Sequence, residues 1–200
     1  MKNDFIKFIK EDNNKLSIPN LLSLSRLVIL PFIVYFIAQS TKKGDLIAFA
    51  LIMLSGLTDF LDGYYARKFH QHSQVGKILD PIMDKINVGV IMLFLAAYND
   101  LPYWYVFSVI GRDVVIMLAS FRLVAKLRFV SPSNYLGKAT LSSYIVVIVC
   151  YILSIPILKP FAMIFSAILI PASLLKYSAV YRSLMGKNII KSKKDTIEIS

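Results

Sequence analysis

Six stretches of about twenty mostly apolar residues run through the chain, at roughly 18–39, 46–66, 78–98, 102–121, 141–158 and 160–181. No other feature narrows the possible folds as much. In hydrocarbon every backbone N–H and C=O must find its partner inside the protein, so a spanning segment is either a helix or a strand of a closed barrel. None of the six alternates apolar and polar residues as barrel strands do. The sequence therefore predicts an all-α integral membrane protein with six transmembrane helices. Pro102 opens the fourth stretch and Pro160 the sixth. Composition agrees: of 200 residues 56% are hydrophobic and only 18% charged, where a soluble domain has about 25% charged. Disorder needs low hydrophobicity, and Cys150, the single cysteine, excludes an intrachain disulfide framework.

The formal net charge is nevertheless +11. Lys and Arg gather in residues 1–17, in the connections between the second and third and between the fourth and fifth stretches, and after residue 175. The other side of the expected membrane holds only Lys42, Lys43 and Lys159. Basic loops stay in the cytoplasm, so a multi-pass protein of the inner (cell) membrane is expected, with both termini cytoplasmic. Arg26, Lys85 and Arg112 lie inside apolar stretches. In residues 1–17, Phe5, Ile6, Phe8 and Ile9 interleave with Lys7 and Lys10, the pattern of an amphipathic helix lying on the membrane surface. The next apolar run is too long for a cleaved signal peptide and lacks a small-residue cleavage site. The expected organisation is an interfacial helix at 1–17, a six-helix transmembrane domain at 18–185 and a basic cytoplasmic tail at 186–200. The lipid bilayer is the expected surrounding, and no nucleic-acid partner is expected.

The rare acidic residues carry the chemistry. Of twelve, Asp59, Asp62, Asp80, Asp84 and Asp113 fall in or beside apolar stretches. A charge at the centre of a membrane helix costs about 2.5–3.5 kcal/mol on insertion scales, so several close together require positive partners. Asp59 and Asp62 are i,i+3, and Asp80 and Asp84 are i,i+4, so each pair shares a helix face. The short 67–77 connection makes the two helices antiparallel neighbours and brings four carboxylates toward one point near the cytoplasmic side. Oxygen-only donors of this kind suit Mg²⁺ or Mn²⁺. His70 and His72 in the connection read more simply as solvated loop residues than as zinc ligands. Gly56, Gly63 and Ala66 clear one helix face, Gly76 opens the third helix, and Pro81 fits its first turn. Arg67, one turn beyond Gly63, offers a guanidinium suited to phosphate. Carboxylates, two divalent ions, a small-residue floor and an arginine together make a phosphate or pyrophosphate site, in which paired ions would clamp a transferring phosphorus and its leaving group.

The series Asp59-x2-Asp62-Gly63-x2-Ala66-Arg67-x8-Gly76-x3-Asp80-x3-Asp84 resembles, at all eight fixed positions, the signature of the CDP-alcohol phosphotransferases. That family is similar in layout, with an interfacial N-terminal helix, six spans and cytoplasmic termini. The resemblance implies that Asp59, Asp62 and Asp80 are ligands of a two-metal centre. It implies that Asp84 is a ligand that also serves as general base. Gly63, Arg67 and Ser73 then contact the CDP part of the donor. Asn20 and Ser23 resemble the family's first-helix nucleotide segment, where Thr is frequent at the position of Ser23. The implied reaction moves the phosphatidyl group of CDP-diacylglycerol to an alcohol, with release of CMP.

The segments around Asp59–Tyr64 and Leu79–Lys85 look like those of phosphatidylglycerophosphate synthases and the related cardiolipin synthases. Gly111-Arg112-Asp113 and Gly137-Lys138-Ala139-Thr140 resemble later motifs of that subgroup. Arg112 and Lys138 are thereby candidates to hold an acceptor phosphate, of glycerol 3-phosphate first and of phosphatidylglycerol as the alternative. An intramembrane ion pair is the other reading of Arg112 and Asp113. The glycerophosphate enzymes commonly carry an arginine two turns later, where this chain has Ser120, which keeps the cardiolipin reading open. Relatives are homodimers, so a homodimer is expected by resemblance. Intramembrane carboxylates also mark ion pathways, which makes a small ion transporter the alternative of a different class.

Overall fold

Apolar runs interrupted by Pro, Gly and short polar segments form helices of membrane length. The computed structural model describes residues 18–68, 76–127 and 135–197, with side chains over 25–58, 61, 82–122 and 135–183. Among these residues the regular structure is six helices: α1 (Ile18–Ala38), α2 (Lys42–Lys68), α3 (Gly76–Tyr98), α4 (Tyr103–Leu127), α5 (Tyr135–Ile152) and α6 (Leu158–Ile197). The expected interfacial helix at 1–17 lies outside the described residues. The chain divides into two compact units, one of Met1–Tyr103 with Tyr151–Ile155, the other of Trp104–Cys150 with Pro156–Ser200.

In the first unit α1 packs against both α2 and α3. Ile33 and Ile37 of α1, Ala48 of α2, and Met92 and Leu95 of α3 are fully buried. The turn from α1 to α2 is tight. Ser40 takes a left-handed φ of 49°, and its N–H donates to the Ile37 carbonyl at 3.1 Å. Thr41 caps α2: its Oγ1 accepts from the Gly44 N–H at 3.0 Å, and its carbonyl accepts from the Asp45 N–H at 2.8 Å. Glycine is needed at position 44, because a Cβ there would stand 2.6 Å from the Phe36 carbonyl oxygen. The obstacle is backbone, so the turn itself would have to shift. Gly44→Ala is expected to cost about 1–3 kcal/mol, the usual range for overpacking, read as a lower thermal unfolding midpoint in detergent.

In the second unit polar side chains tie the helices together. Tyr105 of α4 donates to Ser166 Oγ of α6 at 2.7 Å, and Ser143 of α5 reaches the same oxygen at 2.9 Å. Further along, Ser120 of α4 meets Tyr177 of α6 at 2.6 Å. Hydrogen bonds between buried hydroxyls are a common glue where hydrocarbon offers no competing partner.

Large apolar side chains point outward in both units, among them Phe32, Leu57, Phe107, Phe161 and Leu175. A surface of this kind fits lipid, not water. Among the described residues three segments are long and apolar enough to cross a membrane: Tyr103–Arg122, Tyr135–Ile152 and Leu158–Ser183; Ser25–Ala38 is apolar but shorter. The chain is thus an all-helical membrane protein.

Several boundaries differ from the sequence expectation: among them, α6 runs on to Ile197 past the expected end at 181. The fifth helix runs Tyr135–Ile152 instead of 141–158. Its first turns are polar, so hydropathy starts too late. Thr140 and Ser143 bond back to the carbonyls of Leu136 and Thr140, each at 2.6 Å, and remain within the helix. Its end is set by Ser154, at a φ of 50°, and by Pro156, which disfavours helical geometry at Ile155. Lys138 therefore stands in the first turn of α5, not in a loop. Likewise α3 opens at Gly76 as expected, but Pro81 falls in its second turn.

Candidate active site

The motif aspartates sit on two helices of the first unit: Asp59 and Asp62 in the second half of α2, Asp80 and Asp84 in the first half of α3. A bond at the other end of these helices shows how they align. Asn99, just past the end of α3, donates from Nδ2 to Asp45 Oδ1 in the first turn of α2 at 3.3 Å. The start of α2 is thereby beside the end of α3, and the two run in opposite directions. At 1.5 Å per residue, Asp59 and Asp62 lie roughly 21 and 26 Å along α2 from Asp45. Asp84 and Asp80 lie roughly 23 and 29 Å along α3 from Asn99. Along their helices the two aspartate pairs thus stand at similar distances from that bond.

Of the four carboxylates, the described side chains include Asp84. It is half exposed, at 50%, and its Oδ1 accepts from Nη1 of Arg26, whose side chain is 5% exposed. The two residues come from different helices, α1 and α3. Arg26 is a partner of Asp84 that the motif does not mark. Its signal in the sequence is that of a lone cation in an apolar helix, which shows that a partner exists without naming it. A reachable carboxylate oxygen is the donor type that a hard divalent cation takes. No group of three or more His, Cys, Asp or Glu occurs among the described side chains, which include one of the four aspartates.

The remaining site residues are distributed as follows. Asn20 and Ser23 lie in the first two turns of α1, and Gly63 and Arg67 in the last turns of α2; their side chains are outside the described set. Ser73, with His70 and His72, is outside the described residues. Arg112 and Lys138 belong to the second unit. Arg112 and Asp113 are both buried. Arg112 donates from Nη1 to Asp113 Oδ1 at 2.6 Å and from Nε to Ser173 Oγ of α6 at 3.1 Å. The intramembrane ion pair thus exists, and it occupies two donor groups of the guanidinium. The third, Nη2, faces Gly137, where a Cβ would stand 4.0 Å away. Since Gly137 directly precedes Lys138, the structure brings that motif to the Arg112 side chain. Lys138 itself is exposed. Ser120 is taken up by Tyr177 of α6.

The sequence profile described as CDP-alcohol phosphatidyltransferase matches residues 16–175, which include every motif position. The chain belongs to this family. Among curated CDP-alcohol phosphatidyltransferase relatives, it is similar to a CDP-diacylglycerol–glycerol-3-phosphate 3-phosphatidyltransferase of Aquifex aeolicus. The two are 36% identical over 127 residues, covering 62% of this chain and 69% of that protein. A putative cardiolipin synthase of Mycobacterium tuberculosis is 29% identical over 134 residues, 67% of this chain and 63% of its own length. The human cardiolipin synthase (CMP-forming) is 36% identical over 109 residues, 54% of this chain and 35% of its own length. The chain thus spans under two thirds of both synthases. Family membership removes the support for an ion transporter.

Proposed function

We propose that this chain is a phospholipid-synthesising transferase that moves the phosphatidyl group of CDP-diacylglycerol to glycerol 3-phosphate, giving phosphatidylglycerophosphate and CMP. The observation that carries the reading is the family match over 16–175 together with the unbroken eight-position motif. The Aquifex relative bears the name of this activity. Asp59, Asp62, Asp80 and Asp84 would hold two Mg²⁺ or Mn²⁺ ions, whose charge would stabilise the phosphorus under attack and its leaving group. Asp84 accepts the proton of the acceptor hydroxyl as general base. The acceptor oxygen then bonds to the β-phosphorus while the bond from that phosphorus to CMP breaks. Gly63, Arg67, Ser73, Asn20 and Ser23 seat the CDP portion. Arg112 and Lys138 hold the acceptor phosphate, consistent with the approach of Gly137 to the guanidinium.

The proposed setting is the inner membrane, crossed six times, with termini and active site cytoplasmic, the protein acting as a homodimer. Phosphatidylglycerol as acceptor, giving cardiolipin, is the second reading; Ser120 in place of a subgroup arginine and the cardiolipin synthase relatives favour it. An acceptor panel separates the two. Purified protein with CDP-diacylglycerol and Mg²⁺ should release CMP and form phosphatidylglycerophosphate when given glycerol 3-phosphate. Cardiolipin formed from phosphatidylglycerol, with glycerol 3-phosphate inert, would replace the first reading by the second.

A further inference from the structure

We propose that Arg26 is a positioning residue that clamps the Asp84 carboxylate and competes with a divalent cation for it. The inference rests on the assignment of Asp84 to the metal and proton chemistry above. The two ends of the ion pair are placed asymmetrically. The guanidinium is sealed inside, with its side chain 5% exposed, whereas the carboxylate it holds is 50% exposed. The anion can meet an ion or a substrate, and the cation is shielded from both. Arg26 therefore acts through Asp84 and not by direct contact. A pair serving only to join helices has no need of this carboxylate. Arg26 instead crosses from α1 to the acidic residue that lies one turn from Asp80 on the aspartate-bearing face of α3.

Two consequences follow from ordinary electrostatics. A guanidinium on Oδ1 tethers that oxygen, so the direction in which Asp84 meets an acceptor hydroxyl is restricted from α1. It also neutralises part of the charge that a cation would seek, so metal held at Asp84 is held less tightly than in its absence. The clamp thus weakens metal binding at Asp84 and aims its carboxylate at the acceptor. α1 also carries Asn20 and Ser23, so the helix assigned to nucleotide contact is the helix that orients the base.

The test measures Mn²⁺ binding by electron paramagnetic resonance in detergent-solubilised protein, alongside steady-state transfer kinetics and thermal unfolding. Arg26→Gln should bind Mn²⁺ at least threefold more tightly than the unmodified protein. Its kcat should fall at least tenfold, with KM for CDP-diacylglycerol within twofold. Arg26→Lys should return Mn²⁺ affinity and part of kcat toward the starting values. In an Asp84→Asn background, Arg26→Gln should leave Mn²⁺ affinity unchanged. Unchanged or weaker Mn²⁺ binding in Arg26→Gln would overturn the inference, leaving Arg26 a structural pin. So would an equal shift in the Asp84→Asn background. If Arg26→Gln does not fold, Arg26→Lys carries the same test through a smaller shift of the same sign. Absence of saturable Mn²⁺ binding to the unmodified protein would overturn the functional reading, and the inference with it.

Discussion

Asp84→Asn is expected to lower phosphatidyl transfer by about 10²–10⁴-fold, the usual contribution of a general base. Asparagine is the informative replacement because it preserves shape. Its carbonyl oxygen can still accept from Arg26, so the contact between α1 and α3 loses charge but not geometry. The amide cannot take a proton from an acceptor hydroxyl. Radiolabelled lipid product and CMP release report the loss, while the helical circular dichroism should stay as it was. Retention of full activity would show that another group is the base.

Removal of divalent cations is expected to have an effect as large. Metal ions in such sites supply several kcal/mol of charge stabilisation, and each 1.36 kcal/mol is a factor of ten in rate. Chelation should therefore reduce transfer by about 10³-fold or more, with recovery on adding back Mg²⁺ or Mn²⁺. In the proposed site four carboxylates would repel one another, and bound ions would relieve that repulsion. Chelated protein should accordingly unfold at a lower temperature than Mg²⁺-loaded protein. Transfer that proceeds unchanged in excess chelator would exclude the metal-dependent mechanism.

The helical class is legible in the sequence because it depends on local periodicity, and Asp59 and Asp62 do fall in one helix and Asp80 and Asp84 in the next. Apolar run length indicates a span, and spacings of three and four residues place carboxylates on one face. Hydropathy is less reliable for where a helix begins: α5 starts at Tyr135, six residues before its apolar run, because backbone bonding and not lipid solubility decides helix limits. What is illegible is partnership at long range. Arg26 and Asp84 are 58 residues apart, and Arg112 and Ser173 are 61 apart. No local spacing encodes either contact; each arises when helices pack. The sequence shows only that a lone cation in an apolar segment must be answered by something.

The Asn99–Asp45 bond lies at the opposite end of α2 and α3 from the motif aspartates. It nevertheless makes those two helices into matched rulers, measured from a common zero. One residue more or less on either ruler would turn its carboxylates by about 100° and slide them about 1.5 Å relative to the other pair. An insertion between that bond and the aspartates of either helix is therefore expected to lower transfer sharply.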